Sequence, residues 1–185
     1  LFTPEHPNWT QIELAQSTGL ARSTLGRLVR FLTARGYLLY QEQRGRYSLG
    51  FAAIELGGRA QAQFNLVELC LDVLEDLAQT TGETVILTGY DSARASVVCL
   101  AQIPSRHGGL RVFENIGTAF PLHLGATAKA VLAHLPAASI QSVLDGKLNA
   151  GNPAHKQSRA HLAKQLSEIR AQGFVLSFEE TYAGV

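Results

Sequence analysis

Guanidinium and hydroxyl side chains gather on one side of a short predicted helix near the start of the chain. The helix is predicted over about residues 21–35, because its apolar residues follow the i, i+3, i+4, i+7 spacing of a single buried stripe. That stripe consists of Leu25, Leu28, Val29 and Leu32. The first turn and the opposite face carry Arg22, Ser23, Thr24, Arg27 and Arg30. Arginine bonds bidentately to guanine and first-turn hydroxyls suit phosphate oxygens, so this face is predicted to bind duplex DNA.

The charge of the chain is divided unevenly along its length. The whole sequence has 16 basic and 15 acidic side chains, a net charge of +1. Residues 1–60 hold seven arginines and four glutamates, whereas residues 61–185 hold nine basic and eleven acidic groups. A basic first third of the chain favours a polyanionic partner, although a charged face alone could also be an ordinary solvated surface.

The elements around the arginine-bearing helix favour the DNA interpretation. Thr10 and Glu13 have the spacing of a capping box and predict a first helix, which ends at the turn around Gly19. Two short strands are predicted over 37–41 and 46–49. Two helices and a hairpin make a winged helix-turn-helix. The residues predicted to reach the phosphate backbone or the minor groove from the hairpin are Arg44, Arg46 and Tyr47.

The remainder of the chain predicts a linker helix and a second domain. The linker covers residues 51–64 and has a soft point at the glycine pair 57–58, since interior glycines destabilise a helix. The second domain is predicted to be α+β. Its strands are predicted at 85–88, 97–100, 110–113 and 174–178, and its later helices at 126–135, 139–144 and around 162–169, with a loop over 117–125. The predicted domains are therefore 1–50, 51–64 and 65–185.

Few residues favour catalysis, metal binding or membrane insertion. Cys70 and Cys99 are the only cysteines and form no ligand cluster, and His155 and His161 lack the i, i+4 spacing of paired ligands. The apolar stretches are shorter than the roughly 20 residues that span a bilayer, and no signal segment is recognised. We therefore expect no catalytic site, no metal, no cofactor and no membrane partner, and a cytoplasmic location.

Several segments resemble the IclR family of bacterial transcription regulators. In the first domain the similar segments are 11–15, 18–24, 35–37 and 46–50. In the second they are 77–78, 81–84, 121–123, 129–130, 132–133 and 170–173. The resemblance implies a winged helix-turn-helix, a linker helix and a GAF-like (profilin-like) effector-binding domain, assembled as a homodimer or a dimer of dimers. It also implies that the chain is incomplete at both ends.

The resemblance further implies a ligand pocket in the second domain. The pocket residues that it implies are Ala126, Thr127, Ala128, Ser177 and Val185. Ala128 stands where the family usually has glycine, and Ser177 where some members have an acidic residue. Lys129 is expected either to neutralise an anionic effector or to extend to solvent. The pair Glu179-Glu180 is expected in a solvated turn, with one carboxylate lining the pocket as the alternative.

These observations predict a sequence-specific DNA-binding transcription regulator. Its expected partners are palindromic operator DNA and a small-molecule effector, an organic acid or an aromatic catabolite. One alternative is a GAF-like enzyme that uses Cys99 or His123, although their spacing matches no known nucleophile motif. The other alternative is a DNA-binding protein that takes no effector.

Overall fold

The computed structural model describes residues 1–63, 65–105, 114–148 and 158–181. The chain divides into two compact units, Leu1–Asn65 and Leu66–Val185, called here the N-terminal and C-terminal units. Each unit has its own cluster of buried apolar side chains. The sequence predicted a two-domain protein with a helical first part and an α+β second part, and this fold class is confirmed.

The N-terminal unit is a winged helix-turn-helix. Its elements are α1 (Gln11–Thr18), α2 (Arg22–Ala34), β1 (Leu38–Gln41), β2 (Arg46–Leu49) and α3 (Phe51–Gln63). The predicted capping box begins α1, because Thr10 Oγ1 accepts from the Glu13 amide and Glu13 Oε2 accepts from the Thr10 amide at 2.7 Å. Gly19, with φ of +68°, ends α1 and allows the tight turn into α2.

The core of the N-terminal unit lies between α1, α2 and the hairpin. Its buried residues are Leu14, Leu25, Val29 and Leu38, with Trp9 and Leu32 packed against them. The predicted stripe of α2 is thus confirmed at Leu25 and Val29. Leu28, by contrast, is 42% exposed, because α2 packs on α1 and β1 along the side that carries the other two residues.

The hairpin is joined to the segment that precedes α1. β1 and β2 are antiparallel, and their pairing runs from Leu38 opposite Leu49 to Gln41 opposite Arg46. Trp9 extends this two-stranded sheet by one isolated bridge, because Trp9 and Tyr47 exchange backbone hydrogen bonds of 2.9 and 2.7 Å. The segment that precedes α1 is therefore bonded to β2 near the turn of the hairpin.

The C-terminal unit packs helices on a small antiparallel sheet. Its elements are α4 (Asn65–Thr81), β3 (Val85–Asp91), β4 (Ser96–Ile103), β5 (Ala119–Pro121), α5 (Gly125–Ala133), α6 (Ala137–Asp145) and α7 (Arg159–Gln172). The sheet order is β3-β4-β5. α5 and α7 pack together, and their buried side chains join residues of the sheet in one core. That core contains Val97, Leu122, Ala128, Leu132, Ala133, Leu162, Leu166 and Ile169.

Two predicted strands and one predicted loop of the C-terminal unit have different outcomes. Residues 119–121 were predicted to lie in a loop that contains Pro121, but they form β5. Proline is tolerated there because it ends a strand that, among the described strands, pairs with β4 alone. The strand predicted at 174–178 is wrong. That segment has no ladder to any described strand, and its apolar side chains, such as Phe174 and Phe178, are exposed. The strand predicted at 110–113 lies outside the described residues.

Candidate functional site

The first candidate surface is the exposed face of α2. Arg22, Ser23, Arg27 and Arg30 are all exposed, and Thr24 is half-buried. Within the described residues, neither Arg22 nor Arg27 forms an ion pair, and Arg30 only donates from Nε to the Gly26 carbonyl at 3.1 Å. The structure therefore brings the predicted helix residues together on one open surface that carries positive charge.

The amino end of α2 adds backbone donors to this surface. Its N-cap residue is Ala21, which makes no side-chain cap hydrogen bond, and no acidic residue occupies the first turn. The first amides of a helix have no intrahelical acceptor and carry the positive end of the helix dipole. α1, by comparison, has its amino end satisfied by Thr10 and Glu13. The amino end of α2 is thus suited to an anion such as a phosphate group.

The three predicted hairpin residues are placed differently from one another. Arg44 is exposed in the turn between β1 and β2. Arg46 is 37% exposed and its Nη1 lies 3.4 Å from Glu13 Oε2. Tyr47 is half-buried, with its ring centroid 4.8 Å from that of Tyr40, and partial burial raises the pKa of its hydroxyl. Only Arg44 therefore shares the open environment of the α2 arginines.

The second candidate site is a cavity in the C-terminal unit with a volume of about 250 Å³. Four of the five residues predicted to bind the effector line it: Ala126, Thr127, Ala128 and Ser177. The fifth, Val185, lies outside the described residues. The other lining residues, which sequence reasoning missed, are Ile86, Thr88, Val97, Glu114, Phe120, Leu124, Gly125 and Thr181. For Ile86 and Thr88 a signal was available in the sequence, because residues two apart in a strand lie on the same face of the sheet.

Gly125 shapes the amino end of α5 at the cavity wall. It has φ of +75°, and a Cβ there would lie 3.1 Å from Thr181 Oγ1, so both its conformation and its surroundings favour glycine. Its amide donates to Glu180 Oε2 at 3.1 Å. The next amides belong to Ala126 and Thr127, which also line the cavity and stand in the first helical turn. These amides are suited to a ligand carboxylate.

A buried ion pair stands directly behind this wall. Lys129 Nζ lies 2.5 Å from Glu180 Oε1, and the two side chains are 0% and 4% exposed. Gln165 Oε1 accepts from the same ammonium at 3.4 Å. The expectation that Lys129 extends to solvent is wrong, and so is the expectation that Glu180 lies in a solvated turn. Lys129 faces the core with Leu132 and Ala133, three and four residues on, where a buried cation requires a partner.

Cys99, the nucleophile of the alternative enzyme interpretation, is placed unfavourably for nucleophilic chemistry. Cys99 is fully buried in β4, and burial together with the nearby Glu114 raises the pKa of its thiol. A raised pKa lowers the thiolate fraction on which nucleophilic attack depends. Over the described ranges, the structure holds no cluster of potential metal ligands and no helix of the length and apolarity that crossing a bilayer requires.

Comparison with known proteins gives matches along almost the whole chain. Residues 1–42 match the "IclR helix-turn-helix domain", and residues 59–185 match "Bacterial transcriptional regulator IclR C-terminal". The transcriptional repressor IclR of Escherichia coli is 29% identical over 174 residues, which are 94% of this chain and 63% of the repressor. The chain thus spans less than two thirds of that relative.

Solved structures agree with these matches. An IclR transcriptional regulator from Alicyclobacillus acidocaldarius is 26% identical with a TM-score of 0.83, covering 98% of this chain and 72% of its own. An IclR homolog from Microbacterium hydrocarbonoxydans, solved in complex with 4-hydroxybenzoate, shares the fold with a TM-score of 0.73 at 21% identity, covering 94% and 71% of the two chains. The Escherichia coli and Alicyclobacillus acidocaldarius relatives are transcriptional regulators, the class that the sequence predicted. The chain belongs to the IclR family of bacterial transcriptional regulators.

Proposed function

We propose that this regulator binds operator DNA through α2 and the turn of the hairpin, and that a small organic acid in the C-terminal cavity changes its affinity for DNA. The observation that carries the proposal is the exposed face of α2, whose arginines lack ion-pair partners within the described residues. Operator DNA lies in the bacterial cytoplasm, so that is where we place this activity.

The proposed DNA contacts fall into two kinds. Arg22 and Arg27, on the first turns of α2, would read base edges in the major groove, with Arg30 beside them. Ser23, Thr24 and the free amides of the first turn would hold phosphate oxygens. Arg44, in the turn of the hairpin, would contact a phosphate or the minor groove. Base contacts give sequence preference, whereas phosphate contacts give affinity without preference.

We further propose that the DNA-bound form is a homodimer, alone or paired as a dimer of dimers. A symmetric dimer presents two recognition helices, so the operator should be an inverted repeat with half-sites about one helical turn apart or a multiple of it. The test is selection of the full chain against a randomised duplex library. Enrichment of an inverted repeat at that spacing supports the proposal. Failure to enrich any sequence contradicts it.

The cavity favours a small organic acid with an apolar body. Its lining is largely apolar, with Phe120, Ile86 and Val97 among the larger side chains. The first-turn amides of α5 offer donors for one carboxylate, and the lining hydroxyls of Thr88 and Ser177 offer further polar contacts. The 4-hydroxybenzoate held by the Microbacterium hydrocarbonoxydans homolog is a molecule of this class.

Three probes test the ligand class. Thermal shift with benzoate, 4-hydroxybenzoate and benzamide compares two acids with a neutral isostere of similar shape. We expect the two acids to raise the melting temperature and benzamide to leave it unchanged. The increase should be larger with 4-hydroxybenzoate, because its hydroxyl can donate to the Glu114 carboxylate in the lining. Equal shifts with benzamide would contradict a carboxylate site at the amino end of α5.

Regulation requires that the ligand bind the DNA-competent and DNA-incompetent arrangements with different affinity. We place the coupling in the linker helix α3, which runs through Gly57 and Gly58 without a break. The measurement is the dissociation constant for the selected duplex with and without a saturating acid that shifts the melting temperature. An unchanged constant would leave DNA binding intact but exclude ligand control.

A further inference from the structure

We propose that Arg46 is a positioning residue of the wing rather than a DNA contact, and that it acts with Glu13 to hold the hairpin in its DNA-binding orientation. The inference rests on the proposed DNA binding by this unit. It concerns a small polar cluster, called here the wing clasp, which consists of Asn8, Glu13, Gln41 and Arg46.

The wing clasp joins the two strand residues that flank the hairpin turn, Gln41 and Arg46, to the start of α1. Arg46 Nη1 donates to the Asn8 carbonyl at 3.2 Å and to Glu13 Oε2 at 3.4 Å. Gln41, which is opposite Arg46 in the sheet, donates from Nε2 to Asn8 Oδ1 at 3.3 Å. Both residues that flank the β1–β2 turn are therefore bonded to one segment, residues 8–13.

The same carboxylate oxygen serves two structures at once. Glu13 Oε2 accepts from the Thr10 amide in the capping box of α1 and also from Arg46. The hydrogen bonds to Thr10, followed by the charge of Arg46, lower the pKa of Glu13. The Glu13 carboxylate thus connects the first turn of α1 to Arg46, the first residue of β2. This contact lies next to the backbone bridge between Trp9 and Tyr47.

This arrangement separates two arginines that are only two residues apart. Arg44 is exposed in the turn, whereas the guanidinium of Arg46 is turned to the α1 side by Asn8 and Glu13. The direction of the hairpin determines where Arg44 stands relative to α2. Holding that direction is consequently the contribution of Arg46 to DNA binding.

The decisive variant is Glu13→Gln. Glutamine keeps the capping box, since Gln serves at that position as Glu does, but it removes the charge that pairs with Arg46. Glu42→Gln is the matched control, because Glu42 is exposed in the same hairpin and removes the same charge. Charge alone predicts tighter DNA binding by both variants, since each removes a negative group near a polyanion.

The wing clasp predicts opposite signs for the two variants. On a mixed-sequence 30-base-pair duplex at fixed salt, we expect Glu42→Gln to bind as tightly as the parent or tighter, and Glu13→Gln to bind about threefold more weakly. Arg46→Ala should bind more weakly too, and adding Glu13→Gln to it should cause little further loss, since residues in one network are not additive. If Glu13→Gln binds tighter, Arg46 is a phosphate contact and the proposal is wrong.

A readout without DNA separates this inference from the proposed function. Trp9 is the only tryptophan of the chain and forms the bridge beside the wing clasp. We expect acrylamide quenching of Trp9 to rise in Glu13→Gln and Arg46→Ala and to stay at the parent value in Glu42→Gln. Unchanged quenching in all three overturns the clasp. Increased quenching without DNA binding by any protein, including the parent, would instead contradict the proposed function.

Discussion

The two units differ in where they place positively charged side chains, on the surface in one and in the core in the other. In the N-terminal unit, Arg22 and Arg27 stand exposed on α2 without an ion-pair partner among the described residues. In the C-terminal unit, Lys129 is fully buried and held by Glu180. A buried cation must find its partner within the chain, because water is no longer available to solvate it. A cation left in water on an ordered helix is free to meet a partner from outside, which is the arrangement that DNA binding needs.

The largest effect should come from breaking the buried pair. Lys129→Met leaves the Glu180 carboxylate without its ammonium, and such changes destabilise a fold by about 3–5 kcal/mol. The measurement is urea unfolding followed by circular dichroism. Lys164→Met is the control, since Lys164 is 75% exposed and pairs with Glu168 at 3.7 Å on the surface of α7; it should cost less than about 1 kcal/mol. Equal effects of the two variants would refute the contrast between the units.

The exposed arginines should show the reverse behaviour, with loss of recognition and little loss of stability. We expect Arg22→Ala and Arg27→Ala each to reduce discrimination between selected and scrambled duplexes by about 1–3 kcal/mol. Their effect on unfolding should stay within about 0.5 kcal/mol, because neither side chain packs or pairs in the described structure. Fluorescence anisotropy with both duplexes gives the discrimination directly.

Arg35→Ala is the matched control for those two variants. Arg35 is also exposed, but it caps the carboxyl end of α2 and its guanidinium lies 5.4 Å from the Phe31 ring centroid. A recognition helix contacts bases through its amino-terminal residues, so Arg35→Ala should leave discrimination unchanged. Equal losses of discrimination in all three variants would mean that α2 contributes only general positive charge.

The difference between the units also explains why the sequence predicted the helix-turn-helix correctly but not the buried ion pair. Local signals were enough for the helix-turn-helix: the capping pair Thr10 and Glu13 begins α1, the stripe through Leu25 and Val29 orients α2, and the exposed arginines follow on the other side. The pair of Lys129 and Glu180 joins positions 51 residues apart, so its formation depends on how α5 and the last described segment pack. The periodicity of apolar residues along one helix does not indicate which distant segment packs against it.

Contacts between residues far apart in sequence were also missed at the hairpin and in the lining of the cavity. Arg46 and Glu13 are 33 residues apart, and sequence alone placed Arg46 with Arg44 because both are basic residues of one hairpin. The pocket lining was found where the family resemblance named it, at Ala126 to Ala128 and Ser177, but the contributions of β3 and β4 were missed. Those strands lie far from α5 along the chain, so the spacing of residues within α5 could not show that they line the same cavity.

A smaller effect should appear in the salt dependence of DNA binding. Arg44→Ala should weaken binding about equally for selected and scrambled duplexes and lower the slope of log affinity against log salt by about 0.9, the loss of one phosphate contact. Arg59→Ala is the control, because Arg59 is equally cationic but already pairs with Glu55 on α3. If the Arg44→Ala slope equals that of the parent, the turn of the hairpin does not contact phosphate.

The smallest effect concerns α3, where none of the residues from Phe51 to Gln63 is buried. A Cβ at Gly57 would meet no described atom within 4 Å, so alanine fits without strain. Gly57→Ala should stabilise the helix by about 0.5–1 kcal/mol, since glycine loses more backbone freedom on folding. Ala60→Gly, at another exposed position of α3, should destabilise by a similar amount, and circular dichroism measures both. Because neither variant touches the α2 surface or the buried Lys129, DNA affinity without ligand should remain at the parent value. A change in ligand response alone would then locate the coupling between the units in the stiffness of α3.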